Sequence, residues 1–109
     1  MLAELFGSQT SEKILLYLAA MGEGYASEIS GTFKISNTQT QRTLEKLENA
    51  DILVAVNIGR TRVYSLNDRW VLAEKLKAVL DEALLNIPID EQKQYFSKRK
   101  KPRKKNKVV

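Results

Sequence analysis

The chain has 109 residues, of which 43% are hydrophobic and 28% are charged, a composition typical of one globular domain with a single modest core. It contains no cysteine and no histidine, which excludes disulfides, thiolate metal sites and cysteine nucleophiles, and removes the commonest side chain of metal sites and acid–base catalysis. We therefore expect no enzymatic activity and no cofactor.

The distribution of charge and hydrophobicity sets further limits. The net charge is +5, and residues 98–109 carry eight basic and no acidic side chains. Subtracting these eight from +5 leaves −3 for residues 1–97, so the basic character is concentrated in a tail. No apolar run approaches the roughly 20 residues of a membrane span, and the N-terminus lacks the basic region of a signal peptide. We expect a cytoplasmic protein without a membrane partner.

The N-terminal part predicts two helical segments. A short apolar turn ends at Gly7, and Ser8, Thr10 or Ser11 then caps a helix that runs through Ala20. Its apolar residues repeat with helical spacing at Ile14, Leu18 and Met21. The first turn is more apolar than a free terminus requires, so we expect it to pack on a partner helix; its apolar residues are Leu2, Leu5 and Phe6.

Residues 25–33 and 36–49 predict two further helices, joined by a tight turn at Lys34 and Ile35. Two short helices with such a connection are typical of a helix-turn-helix. In the second helix, Thr40, Leu44 and Leu47 fall on one face and predict contact with a core.

The rest of this second helix is polar and is our candidate for DNA recognition. Its side chains include amides and a guanidinium, which can pair with adenine and guanine edges, and a hydroxyl suited to capping the helix. The candidate DNA-binding residues are Ser36, Asn37, Thr38, Gln39, Gln41 and Arg42. An ordinary amphipathic surface helix would show the same polar face, so the neighbouring elements must decide between the two interpretations.

Residues 53–57 and 60–66 predict two antiparallel strands, with Ile58 and Gly59 in the turn between them. A hairpin directly after a helix-turn-helix is typical of a wing. Arg60 and Arg62, on alternate residues, are predicted to point the same way and to contact phosphate or the minor groove. They could also be ordinary charges on a strand edge.

A last helix is predicted from Arg69 to about Leu85, capped by Asn67 or Asp68. It carries a coiled-coil-like seam of Leu72, Leu76, Val79 and Ala83. One small domain cannot easily cover both this face and the N-terminal leucines. We expect the first and last helices to form a homodimer interface; the alternative is that the last helix folds back on its own domain.

Pro88 ends that helix, so we divide the chain into a domain at residues 1–87 and a flexible basic tail at residues 88–109. The tail adds a salt-dependent attraction for phosphate, which we assign first to Lys98, Arg99, Lys100 and Lys101. Improved solubility, nuclear import or an anionic membrane are the other interpretations of such a stretch.

The order of these elements and their residues resemble the winged helix-turn-helix regulators of bacteria and archaea, in particular ArsR-like and MarR-like repressors. The resemblance covers residues 5–85 and includes Glu28-Ile29, Ile35-Ser36, Leu47-Glu48, Gly59-Arg60 and Leu66-Asn67. It implies a mainly α fold with a two- or three-stranded antiparallel β-wing, and a symmetric dimer acting as a transcriptional repressor on double-stranded DNA.

Three departures from the family pattern matter. Gln39 and Thr40 stand where such helices often carry a small hydroxyl residue and then valine, so the groove face is longer and more polar than usual. Asp51 stands where glycine is common, and aspartate tolerates the left-handed conformation better than most residues. The cysteines and histidines of metal-sensing ArsR members are absent, so metal sensing of that kind is excluded and any small-molecule effector is unidentified. The alternative function is a winged-helix protein-assembly module that binds nucleic acid non-specifically through its basic tail.

Overall fold

The computed structural model describes residues 2–97, which form helices around a two-stranded antiparallel sheet. Along the chain the elements are α1 (Ala3–Phe6), α2 (Gln9–Met21), α3 (Ala26–Phe33), α4 (Asn37–Asn49), β1 (Leu53–Ile58), β2 (Thr61–Leu66), α5 (Ala73–Leu85) and α6 (Ile89–Tyr95). Within these residues, no helix has the length and apolar character needed to cross a membrane.

Helix α2 is the centre of the core. Five successive side chains, Ile14 to Leu18, are buried, so the middle of this helix is surrounded on all sides and packs against α1, α3, α4, α5 and β2. The predicted cap is confirmed at Ser8, whose Oγ accepts a hydrogen bond from the Ser11 amide at 3.0 Å. The chain leaves α2 through Gly22, in a left-handed conformation with φ of 92°.

The predicted helix-turn-helix is confirmed in α3 and α4. Helix α3 ends at Lys34, which adopts a left-handed conformation with φ of 57°. Ser36 then caps α4, because its Oγ accepts a hydrogen bond from the Gln39 amide at 3.2 Å. The inward face of α4 is also as predicted: Thr40 and Leu44 are fully buried and Leu47 is nearly so.

The two strands of the predicted wing are confirmed, but the turn is shifted by one residue. Ile58 pairs with Thr61, so the two-residue turn is Gly59-Arg60 rather than Ile58-Gly59, and Gly59 supplies the positive φ of 63°. The sheet has two strands rather than three. On the outer edge of β2, Gly24 forms only an isolated bridge with Tyr64. Asp51 does adopt the left-handed conformation, with φ of 66°.

The last long helix differs from the prediction in its start and in its apolar face. It begins at Ala73 rather than Arg69, because the Oδ1 of Asn67 accepts a hydrogen bond from the Arg69 amide and the following residues form turns. The core covers only part of the predicted seam. Ala83 is buried and Leu76 packs against the core, whereas Leu72 and Val79 remain exposed.

Residues 89–96 were predicted to belong to the flexible tail, and here the structure differs. They include α6, and the Phe33 ring at the end of α3 lies 5.3 Å from the Tyr95 ring and 5.7 Å from the Phe96 ring, measured between centroids. The packing of Tyr95 and Phe96 on Phe33 removes apolar area from water. The composition of residues 88–109 as a whole does not predict this packing, because most of these residues are polar or charged. Residues 98–109 lie outside the described residues.

Alanine substitutions at Gly24 and Gly31 are expected to change the free energy of unfolding in opposite directions. A Cβ on Gly24 would lie 2.8 Å from Cε1 of Tyr17, a buried ring, so we expect Gly24→Ala to lower the free energy of unfolding by about 1–3 kcal/mol. A Cβ on Gly31, inside α3, meets nothing within 4 Å, so Gly31→Ala should raise it by about 0.5–1 kcal/mol. Urea denaturation measures both. Equal effects of the two substitutions would contradict this packing of Tyr17 on Gly24.

Candidate nucleic-acid interface

The outward face of α4 is polar, exposed and fixed in orientation. Because Thr40 and Leu44 are fully buried, the helix cannot rotate without exposing apolar surface. The Thr40 hydroxyl also donates to the Ser36 carbonyl oxygen at 2.8 Å, within the first turn. Every candidate residue of this segment is exposed: Ser36, Asn37, Thr38, Gln39, Gln41 and Arg42.

The structure gives four of these candidates two different kinds of surroundings. The Nε2 of Gln39 donates to the Thr10 hydroxyl on α2 at 3.0 Å, and the Oδ1 of Asn37 accepts a long hydrogen bond of 3.4 Å from Ser30 on α3. These two side chains therefore attach the start of α4 to the helices behind it. Gln41 and Arg42 project from the second turn, and a guanidinium beside an amide offers donors and an acceptor suited to base edges.

The two wing arginines do not form the pair that the sequence predicts. Arg60 is exposed in the turn. Arg62 belongs to β2, where its register partner is Asn57. Residues 53, 55 and 57 share the inward face of the hairpin with their partners on β2, so Arg62 points towards α4 and Arg60 lies at the tip.

Arg62 connects the wing to α4. Its Nη2 donates to the Glu48 carboxylate at 2.5 Å, its Nη1 donates to the Asn57 Oδ1 at 3.2 Å, and its guanidinium lies 5.8 Å from the centroid of the Tyr64 ring. The hydrogen bond to Glu48, and secondly the neighbouring Tyr64 side chain, raise the pKa of Arg62 above its ordinary value. The side chain thus holds the hairpin against α4. Local sequence patterns do not predict this contact, because 14 residues separate Glu48 from Arg62.

The remaining predicted site residues lie elsewhere. Lys98, Arg99, Lys100 and Lys101 fall outside the described residues. Within residues 2–97, the acidic side chains form no group of three or more that could hold a metal ion. The exposed side chains of α4 and the hairpin offer hydrogen-bonding and cationic groups. Such groups are suited to contacts with the bases and phosphates of DNA.

Comparisons with known proteins address the fold. Neither a protein-family model nor a curated protein sequence matches the chain, but solved structures do. The AntR antimony-specific transcriptional repressor aligns with a TM-score of 0.63 and 20% sequence identity, covering 85% of this chain and 78% of that one. The YusO protein from Bacillus subtilis aligns with a TM-score of 0.58 and 17% identity, covering 84% and 71% of the two chains.

A third similar structure was solved with DNA. Wild-type ZitR from Lactococcus lactis, in complex with DNA, aligns with a TM-score of 0.52 and 24% identity over 79% of this chain. The match covers 66% of the ZitR chain, just under two thirds of its length. Together with the element order, these likenesses show that the chain has the winged helix-turn-helix fold that the sequence predicted.

The contact between Glu48 and Arg62 can be tested through the mobility of the wing. In Glu48→Gln the guanidinium loses its charged partner, so we expect the amides of the hairpin from Asn57 to Arg62 to exchange about two- to fivefold faster. Hydrogen exchange followed by NMR measures the rates, with the α4 amides as an internal reference. Glu45→Gln, an exposed carboxylate on the same helix, is the matched control. Equal exchange in both variants would show that the ion pair does not hold the wing.

Proposed function

We propose that the protein binds double-stranded DNA through α4 and its wing, and that it acts as a transcriptional repressor in the form of a homodimer. Support comes from the fold and from two similar structures: AntR is a transcriptional repressor, and ZitR was solved in complex with DNA. The same fold also serves other functions, so the proposal depends on the residues of the interface.

The observation that carries the proposal is the division of α4 into two faces. Thr40, Leu44 and Leu47 bury one face, and this leaves Gln41 and Arg42 exposed on the other. A groove-reading helix needs this arrangement, because a rigid attachment fixes which side chains reach the bases. Gln can pair bidentately with adenine and Arg with guanine.

The charges around α4 are compatible with phosphate. Residues 1–97 carry a net charge of −3, and two acidic residues, Glu45 and Glu48, lie on α4 itself. Glu48 is paired with Arg62, so its carboxylate is partly neutralised where the wing meets the helix. Arg60 at the wing tip is exposed, and the eight basic residues after position 97 add a sequence-independent attraction for the backbone.

Exposed apolar side chains on α1, just before α5 and on α5 itself support a homodimer. Val71 is 88% exposed and Leu5 70% exposed. Leu72, which precedes α5, and Val79 on α5 are exposed as well. Covering such a surface with a second copy removes apolar area from water. A two-fold dimer would place two α4 helices about 34–36 Å apart, one turn of DNA.

Base recognition by α4 can be tested by substitution. After selection of bound sequences from a random duplex pool, we expect Gln41→Ala and Arg42→Ala each to weaken binding to the selected site by about 1–3 kcal/mol. Binding to random duplex should change little. Fluorescence anisotropy on the two duplexes measures both affinities.

Gln94→Ala removes an exposed glutamine from α6 and is the matched control. An equal loss of affinity on selected and random DNA would contradict base recognition by α4. If the pool yields no motif, and removal of residues 98–109 ends all binding, the function is instead non-specific attachment through the basic tail.

The homodimer has its own test. Val79 is 41% exposed in the protomer, so Val79→Glu should leave the fold intact while placing two like charges in the proposed interface. We expect a shift from dimer to monomer at micromolar concentration, measured by size-exclusion chromatography with light scattering. Ile89→Glu, on α6, changes a similarly exposed apolar residue and should remain dimeric. A dimeric Val79→Glu protein would place the interface elsewhere.

A further inference from the structure

Three aromatic rings join the C-terminal helix α6 to the helix-turn-helix. The Phe33 ring, at the end of α3, stacks on the Tyr95 ring with centroids 5.3 Å apart and planes 21° apart, and it lies 5.7 Å from the Phe96 ring. Phe33 also meets the buried Tyr17 ring edge to face, at 6.0 Å. We call Phe33, Tyr95 and Phe96 the aromatic anchor, because through Tyr17 it connects the end of α6 to the central helix α2.

The aromatic anchor holds α6 in place. None of the seven residues of α6 is buried, and a cavity of about 440 Å³ lies between this helix and α2, with Leu16 and Glu91 among its lining residues. A helix of this length is not stable in water without tertiary contacts. The position of α6 therefore depends on the packing of Tyr95 and Phe96 on Phe33 at its end.

The aromatic anchor lies beside the start of α4. Phe33 is the last residue of α3, and Ser36, the N-cap of α4, follows three residues later, so their Cα atoms are at most about 11 Å apart. The start of a helix is the end that attracts anions, because its first amides and its dipole point outwards. Ser97 follows Phe96 directly. The basic stretch after Ser97 thus begins near the end of α4 that would approach phosphate in the proposed DNA complex.

Charge favours DNA phosphate as the partner of this basic stretch. Residues 98–109 carry eight positive and no negative charges, whereas residues 1–97 carry a net charge of −3. Twelve residues reach at most about 43 Å when extended, which exceeds the roughly 34 Å of one DNA turn. From a start beside α4, the cations can reach phosphates on both sides of the groove that α4 would enter.

We propose that the aromatic anchor positions residues 98–109: it holds the start of this basic segment at the helix-turn-helix, so that its cations bind the phosphates that flank the α4 site. This inference rests on the proposed DNA binding. Without the anchor, the segment would be tethered at Pro88, and its reach would grow from about 43 Å to about 79 Å. The effective concentration of a tethered group falls roughly as the −3/2 power of tether length, so the same eight charges would then contribute less to binding.

A double-mutant cycle on a random-sequence duplex is the first test, and it requires no base recognition. Tyr95→Ala combined with Phe96→Ala releases the anchor. A second, neutral-tail form of the full chain carries glutamine at each basic position after Ser97, namely Lys98, Arg99, Lys100, Lys101, Arg103, Lys104, Lys105 and Lys107. We expect release of the anchor to raise Kd about two- to fivefold with the native tail and to leave Kd unchanged with the neutral tail. Fluorescence anisotropy at about 0.05 M salt, where screening is weak, measures all four affinities.

Two substitutions on α6 are the controls. Tyr95→Phe keeps the ring that stacks on Phe33, so it should bind DNA as the wild-type protein does. Ile89→Ala shortens a side chain that is 63% exposed on the same helix, and it should also leave Kd unchanged.

An insertion tests the same tether without disturbing the fold. A Gly/Ser linker of about ten residues between Ser97 and Lys98 leaves the aromatic anchor intact and moves the basic segment away from it. We expect Kd to rise about two- to fivefold, as it does when the anchor is released.

Two results would overturn the inference and leave the proposed function standing. An equal rise of Kd with the native and the neutral tail would show that the aromatic anchor supports the fold instead of positioning the basic segment. An unchanged Kd after release of the anchor or after the insertion would show that the starting point of the segment does not affect binding. If the wild-type protein binds no duplex, the proposed function itself fails.

Discussion

The burial of one face of α4 against α2 is the constraint on which the interface depends. Thr40 and Leu44 are fully buried beside the central helix, and removing such side chains from water contributes on the order of 1.5–3 kcal/mol for a leucine. Any rotation of α4 would give up that contribution. The helix therefore presents Gln41 and Arg42 in one orientation, and the orientation of these polar side chains is set by the apolar residues behind them.

The position of the wing depends on a second, polar contact. Arg62 bonds to Glu48 on α4 and to Asn57 on the neighbouring strand, so the hairpin and the helix are joined near the place where both would approach DNA. In the proposed DNA complex, an unpaired Glu48 carboxylate would repel phosphate, and the ion pair with Arg62 reduces that repulsion. Because Arg62 is held by these bonds, it is less free to contact a DNA phosphate. Arg60 at the tip of the hairpin is therefore the more accessible cation of the wing.

The exposed apolar residues form two separate surfaces. One includes Leu5 on α1, Val71 just before α5 and Val79 on α5. The other lies on the outer side of the hairpin, with Val54, Val56 and Ile58. They differ in the size of the interface that each could form. Helical faces from two segments can combine into an interface large enough for a stable dimer, whereas one face of a two-stranded hairpin is too small for association in free solution. The first surface is accordingly the one that we propose for the homodimer.

The sequence by itself determined the order of the elements, the cap at Ser36 and the buried face of α4, because these depend on local spacing and capping chemistry. It also predicted both strands of the wing. Only the tertiary structure decided that Arg62 faces Glu48, that Gln39 bonds to Thr10, and that Tyr95 and Phe96 pack on Phe33. These contacts join residues far apart in the chain, so no local pattern encodes them. The partial burial of the α5 seam has the same cause, since periodicity shows that residues share a face and packing decides which of them are covered.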